Sequence, residues 1–124
     1  MEYKSELHLQ AVLWQEFYKK YKQYRLPPVG NKPRCLLVHN LLNPKSSVEG
    51  AKLQGAGLTK GFPDLTLFVA RKSYHGLHIE LKINKEKPKK EQVEVFEALR
   101  AQGYKVIWGN NHVDILEEIE NYLR

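Results

Sequence analysis

The chain has 124 residues, 42% of them hydrophobic and 10% aromatic, with a formal net charge of +6. That is enough apolar material for one packed core of ordinary domain size, so wholesale disorder is excluded and residues 1–124 are read as a single domain. One cysteine, Cys35, excludes an internal disulfide and a cysteine-based zinc cluster; no apolar run approaches a membrane span, and the polar start has no signal-peptide core, so a cytoplasmic protein without a membrane partner is expected.

Residues 5–24 predict the first helix. Leu7, Ala11, Trp14, Tyr18 and Tyr21 recur at 4-3-4-3 spacing, Ser5 is placed to cap the start, and Pro27-Pro28 lies beyond the end. Leu9, Leu13 and Phe17 form a second apolar face. A helix apolar on two faces needs two partners, which leaves either deep burial in its own domain or a contact with a second subunit. After a turn-rich stretch over residues 27–33, residues 35–39 predict a strand in which Cys35 is a small apolar member. Residues 40–60 carry Gly50, Gly55 and Gly57 and no clear period, and read as a long connection of the kind that is usually functional or disordered, here preferred as a DNA-contacting loop partly mobile without substrate. Asn40 and His39, at the end of the preceding strand, are placed to face the same groove, although His39 is read first as a satisfied structural histidine.

Residues 65–70 and 77–83 are short and β-rich around a turn at 73–76, a predicted hairpin. Alternation puts Ile79, Leu81 and Ile83 on one face of the second strand and His78, Glu80 and Lys82 on the other. Asp64, entering the first strand behind Pro63, then meets Glu80 across the hairpin. Two carboxylates and the Leu81 carbonyl make a hard oxygen pocket suited to Mg²⁺ or Mn²⁺, which neutralises a phosphate and acidifies bound water. Lys82 is placed to hold the attacking water or to stabilise charge on the phosphorane. Glu-x-Lys alone is uninformative, since Glu2-Tyr3-Lys4 also fits it; Gly-Phe-Pro-Asp ahead of an apolar strand is what gives the pair meaning.

Residues 91–102 predict a helix with Gly103 after its end, and Gln92 shares a stripe with Phe96 and Leu99, so it points inward as a core-edge amide or as an orienter of the acids. Residues 104–108 predict a strand parallel to the Glu80 strand, because it is entered from a helix. Val113, Leu116, Ile119 and Leu123 give a closing helix with an acidic outer face. Charge is unevenly spread. Residues 19–90 hold 16 Lys/Arg against four acids, two of which are Asp64 and Glu80, so this part resembles a polyanion-facing surface with an acidic hole. Lys52, Lys60, Lys85, Lys87, Lys89 and Lys90 are its candidate DNA contacts, with the 40–60 connection expected to bring glycine backbone close to phosphates.

Gly57-x-x-x-Gly61-Phe62-Pro63-Asp64-Leu65, then Glu80-Leu81-Lys82, then Gln92 opening a helix, resembles the VRR-NUC branch of the PD-(D/E)xK nucleases, especially the stand-alone phage modules, over nearly the whole chain. The resemblance implies a restriction-endonuclease-like α/β fold, a mixed central sheet flanked by helices in the order α-β-β-β-α-β-α. It implies a Mg²⁺- or Mn²⁺-dependent DNA endonuclease, acting as a homodimer on branched DNA such as a Holliday junction, in a bacterial cell or phage-infected host. It assigns Asp64, Glu80 and Lys82 to the site, adds Glu6 as an acid from the first helix and possible second metal ligand, and includes Gln92. Lys89 stands where relatives often have a Ser cap, and is read instead as a phosphate contact. The rival readings are a non-catalytic DNA-binding module of the same fold, against which the intact Asp64, Glu80 and Lys82 argue, and a structural subunit of a replication or repair complex.

Overall fold

The computed structural model describes residues 1–40 and 47–124. The first helix, α1 (Glu6–Lys20), starts where Ser5 Oγ accepts the His8 N–H and ends where the Tyr21 N–H returns to the Phe17 carbonyl. It is shorter than the expected 5–24, a 3-10 turn over Lys22–Tyr24 replacing its last part. The stripe that it buries is Leu9, Leu13 and Phe17, all fully inaccessible. Of the other stripe, Leu7 is 65% exposed, whereas Tyr21 is buried. Trp14 covers the sheet edge, its Nε1–H donating to the Leu37 carbonyl at 2.8 Å and its ring stacked on Tyr18. Most of the apolar surplus on this helix is therefore absorbed within the chain.

The turn-rich segment is a hairpin of its own, β1 (Arg25–Val29) and β2 (Lys32–Cys35), antiparallel and separate from the main sheet. Two prolines on β1 concealed it; proline removes a ladder donor and is tolerated on edge strands, and both strands here are edges. Leu36 interrupts the strand expected over 35–39, so Cys35 ends β2 and β3 is Leu37–His39. Within the expected 40–60 loop, α2 (Ser47–Gly55) is a helix; residues 41–46 of that loop lie outside the described residues.

The main sheet has the order β3-β4-β5-β6, with β4 (Leu65–Leu67) antiparallel to both β3 and β5 (Leu77–Leu81), and β6 (Lys105–Gly109) parallel to β5 as expected. The 65–70/77–83 hairpin is real but shorter, and turns at 71–74, where Arg71 bridges Tyr74 across left-handed Lys72 and Ser73. Between β5 and β6 lies α3 (Lys90–Ala101), and α4 (His112–Leu123) closes the chain under an Asn111 cap. The fold is thus the restriction-endonuclease-like α/β class, the seven-element order carrying a hairpin and a short helix as additions.

One face of the sheet, Leu37, Leu65, Leu67, Leu77, Ile79, Leu81 and Ile107, packs on α1 and α4 through Leu9, Leu13, Phe17, Ile115, Ile119 and Tyr122. Burying each such side chain contributes about 1.5–3 kcal/mol. Leu67→Ala, at the strand end away from the acids, is expected to lower the unfolding free energy by about 2–5 kcal/mol in a urea titration. The opposite face carries Thr66, His78, Glu80 and Lys82, all buried. Polar side chains buried on a sheet face need partners, and theirs define the site.

Candidate active site

The β4–β5 register pairs Leu65 with Ile79 and Thr66 with His78, so the next pair outward is Asp64 and Glu80. Asp64 Oδ2 accepts the Leu81 N–H at 2.7 Å, which ties the acid to the strand that carries the second acid. Asn40 holds the backbone at this point. Its N–H donates to the Asp64 carbonyl at 2.9 Å, and its Nδ2 donates to the Pro63 carbonyl at 3.0 Å and to Thr66 Oγ1 at 2.9 Å. Thr66 Oγ1 is in turn 2.8 Å from His78 Nδ1.

Glu80 is 2% exposed. Its Oε2 accepts from Gln92 Nε2 at 3.0 Å and lies 3.6 Å from Lys82 Nζ; its Oε1 is buried without a hydrogen-bond partner among the described residues. Gln92 is an orienter of the acid as well as a core-edge amide. Its Oε1 accepts the Lys89 N–H at 2.8 Å, so the helix start is fixed by Gln92 reaching back, without the Ser side chain that relatives often place there. Glu6, from the first turn of α1, completes a cluster in which carboxylate oxygens of Glu6, Asp64 and Glu80 all lie within 4.8 Å of one another.

Electrostatics follow from this crowding. Burial first, and then the Asp64 carboxylate, push the Glu80 carboxyl up to about 8. Burial also raises Asp64, against the Leu81 N–H that favours its charged form, and raises Glu6, against the attraction of Lys82. Three acids disfavoured as anions crowd one spot, with the Lys82 ammonium beside them as the cation that favours their charged forms. The donors are oxygen only, which suits a hard divalent cation such as Mg²⁺ or Mn²⁺ rather than zinc or copper.

Gly61 explains the second glycine of the motif. Its φ is +89°, and a Cβ there would stand 2.6 Å from the Glu91 carbonyl oxygen, backbone against backbone at the start of α3. Gly61→Ala is expected to cost about 1–3 kcal/mol in urea unfolding and to move Gln92 off Glu80.

Of the candidate DNA contacts, none belongs to the acid cluster. Lys85, Lys87, Lys89 and Lys90 are exposed along the segment from β5 into α3, with Lys89 close enough to Glu6 to favour its charged form. Lys60 is exposed and paired with Glu91 at 3.9 Å, and Lys52 lies exposed on α2. Thr66 and His78 were not singled out from the sequence. Their signal is polarity in phase with Asp64 and Glu80 on otherwise apolar strands. Burial lowers His78 to about 4, so a neutral imidazole packs against Phe62 and Tyr104.

A mixed sheet with paired acids on neighbouring strands and a lysine two residues beyond the second defines a PD-(D/E)xK-like domain. Residues 4–110 match the model of the VRR-NUC domain, and the chain belongs to that family. Its fold is shared by a solved structure described as a VRR_NUC domain protein, with a TM-score of 0.75 and 24% identity over 99% of this chain and 91% of that one. No curated protein matches the chain in sequence. Family membership makes this a nuclease-type DNA-processing domain, and none of its described helices is long and apolar enough to cross a membrane.

Proposed function

We propose that the protein is a Mg²⁺- or Mn²⁺-dependent deoxyribonuclease that hydrolyses phosphodiester bonds, selectively in branched DNA. The observation that carries this reading is the cluster of Glu6, Asp64 and Glu80 with its partnerless Glu80 Oε1, set beside buried Lys82. These three carboxylates would hold the cation, with the Leu81 carbonyl as a further oxygen donor. A bound divalent ion would neutralise the scissile phosphate and acidify a water. Gln92 keeps Glu80 Oε2 oriented, which leaves the buried Oε1 to serve as the ligand. Asn40 fixes the turn that presents Asp64. Lys82 is positioned to donate to the water or to the charge growing on phosphate oxygens. Exposed Lys85, Lys87, Lys89 and Lys90, with Lys52 and Lys60, supply phosphate contacts of the sequence-independent kind.

Cleavage assayed on duplex, flap, single-stranded and four-way substrates, with Mg²⁺, Mn²⁺ and EDTA, tests the reading. Metal-dependent cutting strongest on branched substrates supports it; binding without cutting under every metal condition would favour the non-catalytic module. A homodimer is part of the proposal, because two symmetric cuts need two sites. Leu7 and Val113, exposed in the first turns of α1 and α4, are the apolar residues that such an interface would cover. Sedimentation equilibrium at micromolar concentration decides it, a mass of 14.5 kDa throughout being the adverse result.

A further inference from the structure

We propose that the β1–β2 hairpin is a second DNA contact, an arm that grips the phosphate backbone of a duplex at a distance from the acid cluster. It rests on the nuclease reading above only in taking DNA as the partner. Residues 19–34 contain six Lys/Arg (Lys19, Lys20, Lys22, Arg25, Lys32, Arg34) and no Asp or Glu, as many positive charges as the net charge of the whole chain. Among the described residues, Lys19 and Lys20 meet acids in exposed pairs with Glu16 and Glu120, which hold little energy.

The hairpin is a surface made to be touched. Eight of its nine strand residues are exposed, Cys35 being the exception, and among the described residues its strands pair only with each other. An isolated two-stranded ribbon is marginal in water, yet this one is tied to α1 through Arg25, across its own strands through Arg34, and to the 3-10 turn before it through Leu36. Arg25 donates twice to the Tyr18 carbonyl and lies 4.0 Å over the Tyr18 ring, Arg34 donates twice to the Pro27 carbonyl, and the Leu36 N–H donates to the Tyr24 carbonyl. Bracing fixes where the charges point, which lowers the ordering cost of an encounter.

Two paths through the fold place this arm at the far end from the acids. Glu6 opens α1 and the hairpin follows its last turn, 15 residues on, a span of about 22 Å at 1.5 Å per residue. Independently, Asp64 borders the His39 end of β3 while the hairpin joins the Leu37 end. Along B-DNA that separation is roughly six base pairs at 3.4 Å each. The arm therefore engages DNA well outside the scissile step, and adds affinity for long arms without entering the chemistry. Apolar Leu26 and Val29 on the ribbon leave a second copy of the chain as the competing occupant.

The test compares wild type with Lys22→Gln/Lys32→Gln, both exposed positions, by fluorescence anisotropy of a 30-base-pair duplex in EDTA over a salt series. The variant should bind about tenfold more weakly at low salt, with the slope of log K against log salt reduced by about 2. A duplex too short to reach the arm should be bound equally by both proteins. Wild-type affinity and slope in the folded variant, or a loss of self-association in sedimentation without a change of slope, would overturn the arm. Because the readout is binding without metal, a protein that cuts nothing still tests it, and a protein that cuts well with an unchanged salt slope refutes the arm alone.

Discussion

Lys82→Ala is expected to lower cleavage by at least about 10²–10³-fold while keeping most of the affinity for DNA. Lys82 is 4% exposed with its Nζ 3.6 Å from Glu80 Oε2, so its charge is spent inside the pocket rather than on the surface that meets the backbone. Affinity is distributed over many exposed lysines, each a small part of a salt-dependent sum, whereas Lys82 acts where charge develops. The substitution also removes a positive charge that opposes protonation of Glu80 and Glu6 and would repel a bound cation, so metal affinity changes along with the chemistry. Single-turnover cleavage at saturating Mn²⁺ separates the two effects. A variant that cuts at the wild-type rate under those conditions would remove Lys82 from the chemistry.

Without metal, the protein should lose stability as pH rises, and divalent cations should reverse the loss. The Glu80 carboxyl has an ordinary value of 4.5 and is pushed up to about 8 in the fold by burial and by Asp64. Between those values the folded chain keeps a Glu80 proton that the unfolded chain has released, which makes stability fall with pH; below about 6.5 the buried neutral His78, lowered to about 4, acts in the opposite sense, so the net fall lies between about 6.5 and 8. Asp64, also raised, adds to the same slope. A cation that binds the folded state alone competes with those protons, and its stabilisation grows as RT ln(1 + [L]/Kd), about 2.7 kcal/mol at a hundredfold excess over Kd. Melting curves from pH 5 to 8, with and without Mg²⁺, should therefore diverge toward high pH. Glu80→Gln, which cannot ionise, should flatten the metal-free curve and remove most of the response to Mg²⁺; a steep curve and an undiminished response in that variant would count against the pocket.

The acid pair was legible because Glu80 sits on a strand that alternates strictly, Leu77, Ile79 and Leu81 against His78 and Glu80, and Asp64 stands directly before Leu65 at the mouth of its hairpin partner. Gln92 was legible by its helical stripe, though only the coordinates show it holding Glu80. What the sequence concealed has local causes. The β1–β2 hairpin is written in prolines and charges, since both strands are edges with little to bury. Helix α2 carries two glycines and a weakly amphipathic pattern, and reads as loop. The Asn40–Thr66–His78 chain joins residues far apart in sequence through side-chain hydrogen bonds, which no periodicity encodes. The choice between the two stripes of α1 was likewise settled by tertiary packing, Leu9, Leu13 and Phe17 facing the sheet while Leu7 stays in water.

The carboxylate pocket draws on segments scattered along most of the polypeptide. Glu6 comes from α1, Asn40 from the end of β3, Asp64 from the mouth of β4, Glu80 and Lys82 from β5 and beyond, and Gln92 from α3; the Lys82 N–H is further anchored on the Gly109 carbonyl, past α3. Contacts of such sequence separation form only when the chain has closed its loops, so they arise together with the cooperative fold rather than ahead of it. A growing polypeptide that ends before residue 109, or a chain whose first helix has come loose, has the acids but not their arrangement. On the proposed reading, hydrolytic capacity is in this sense conditional on complete folding, and its chemistry would be withheld from fragments, nascent chains and partly unfolded molecules.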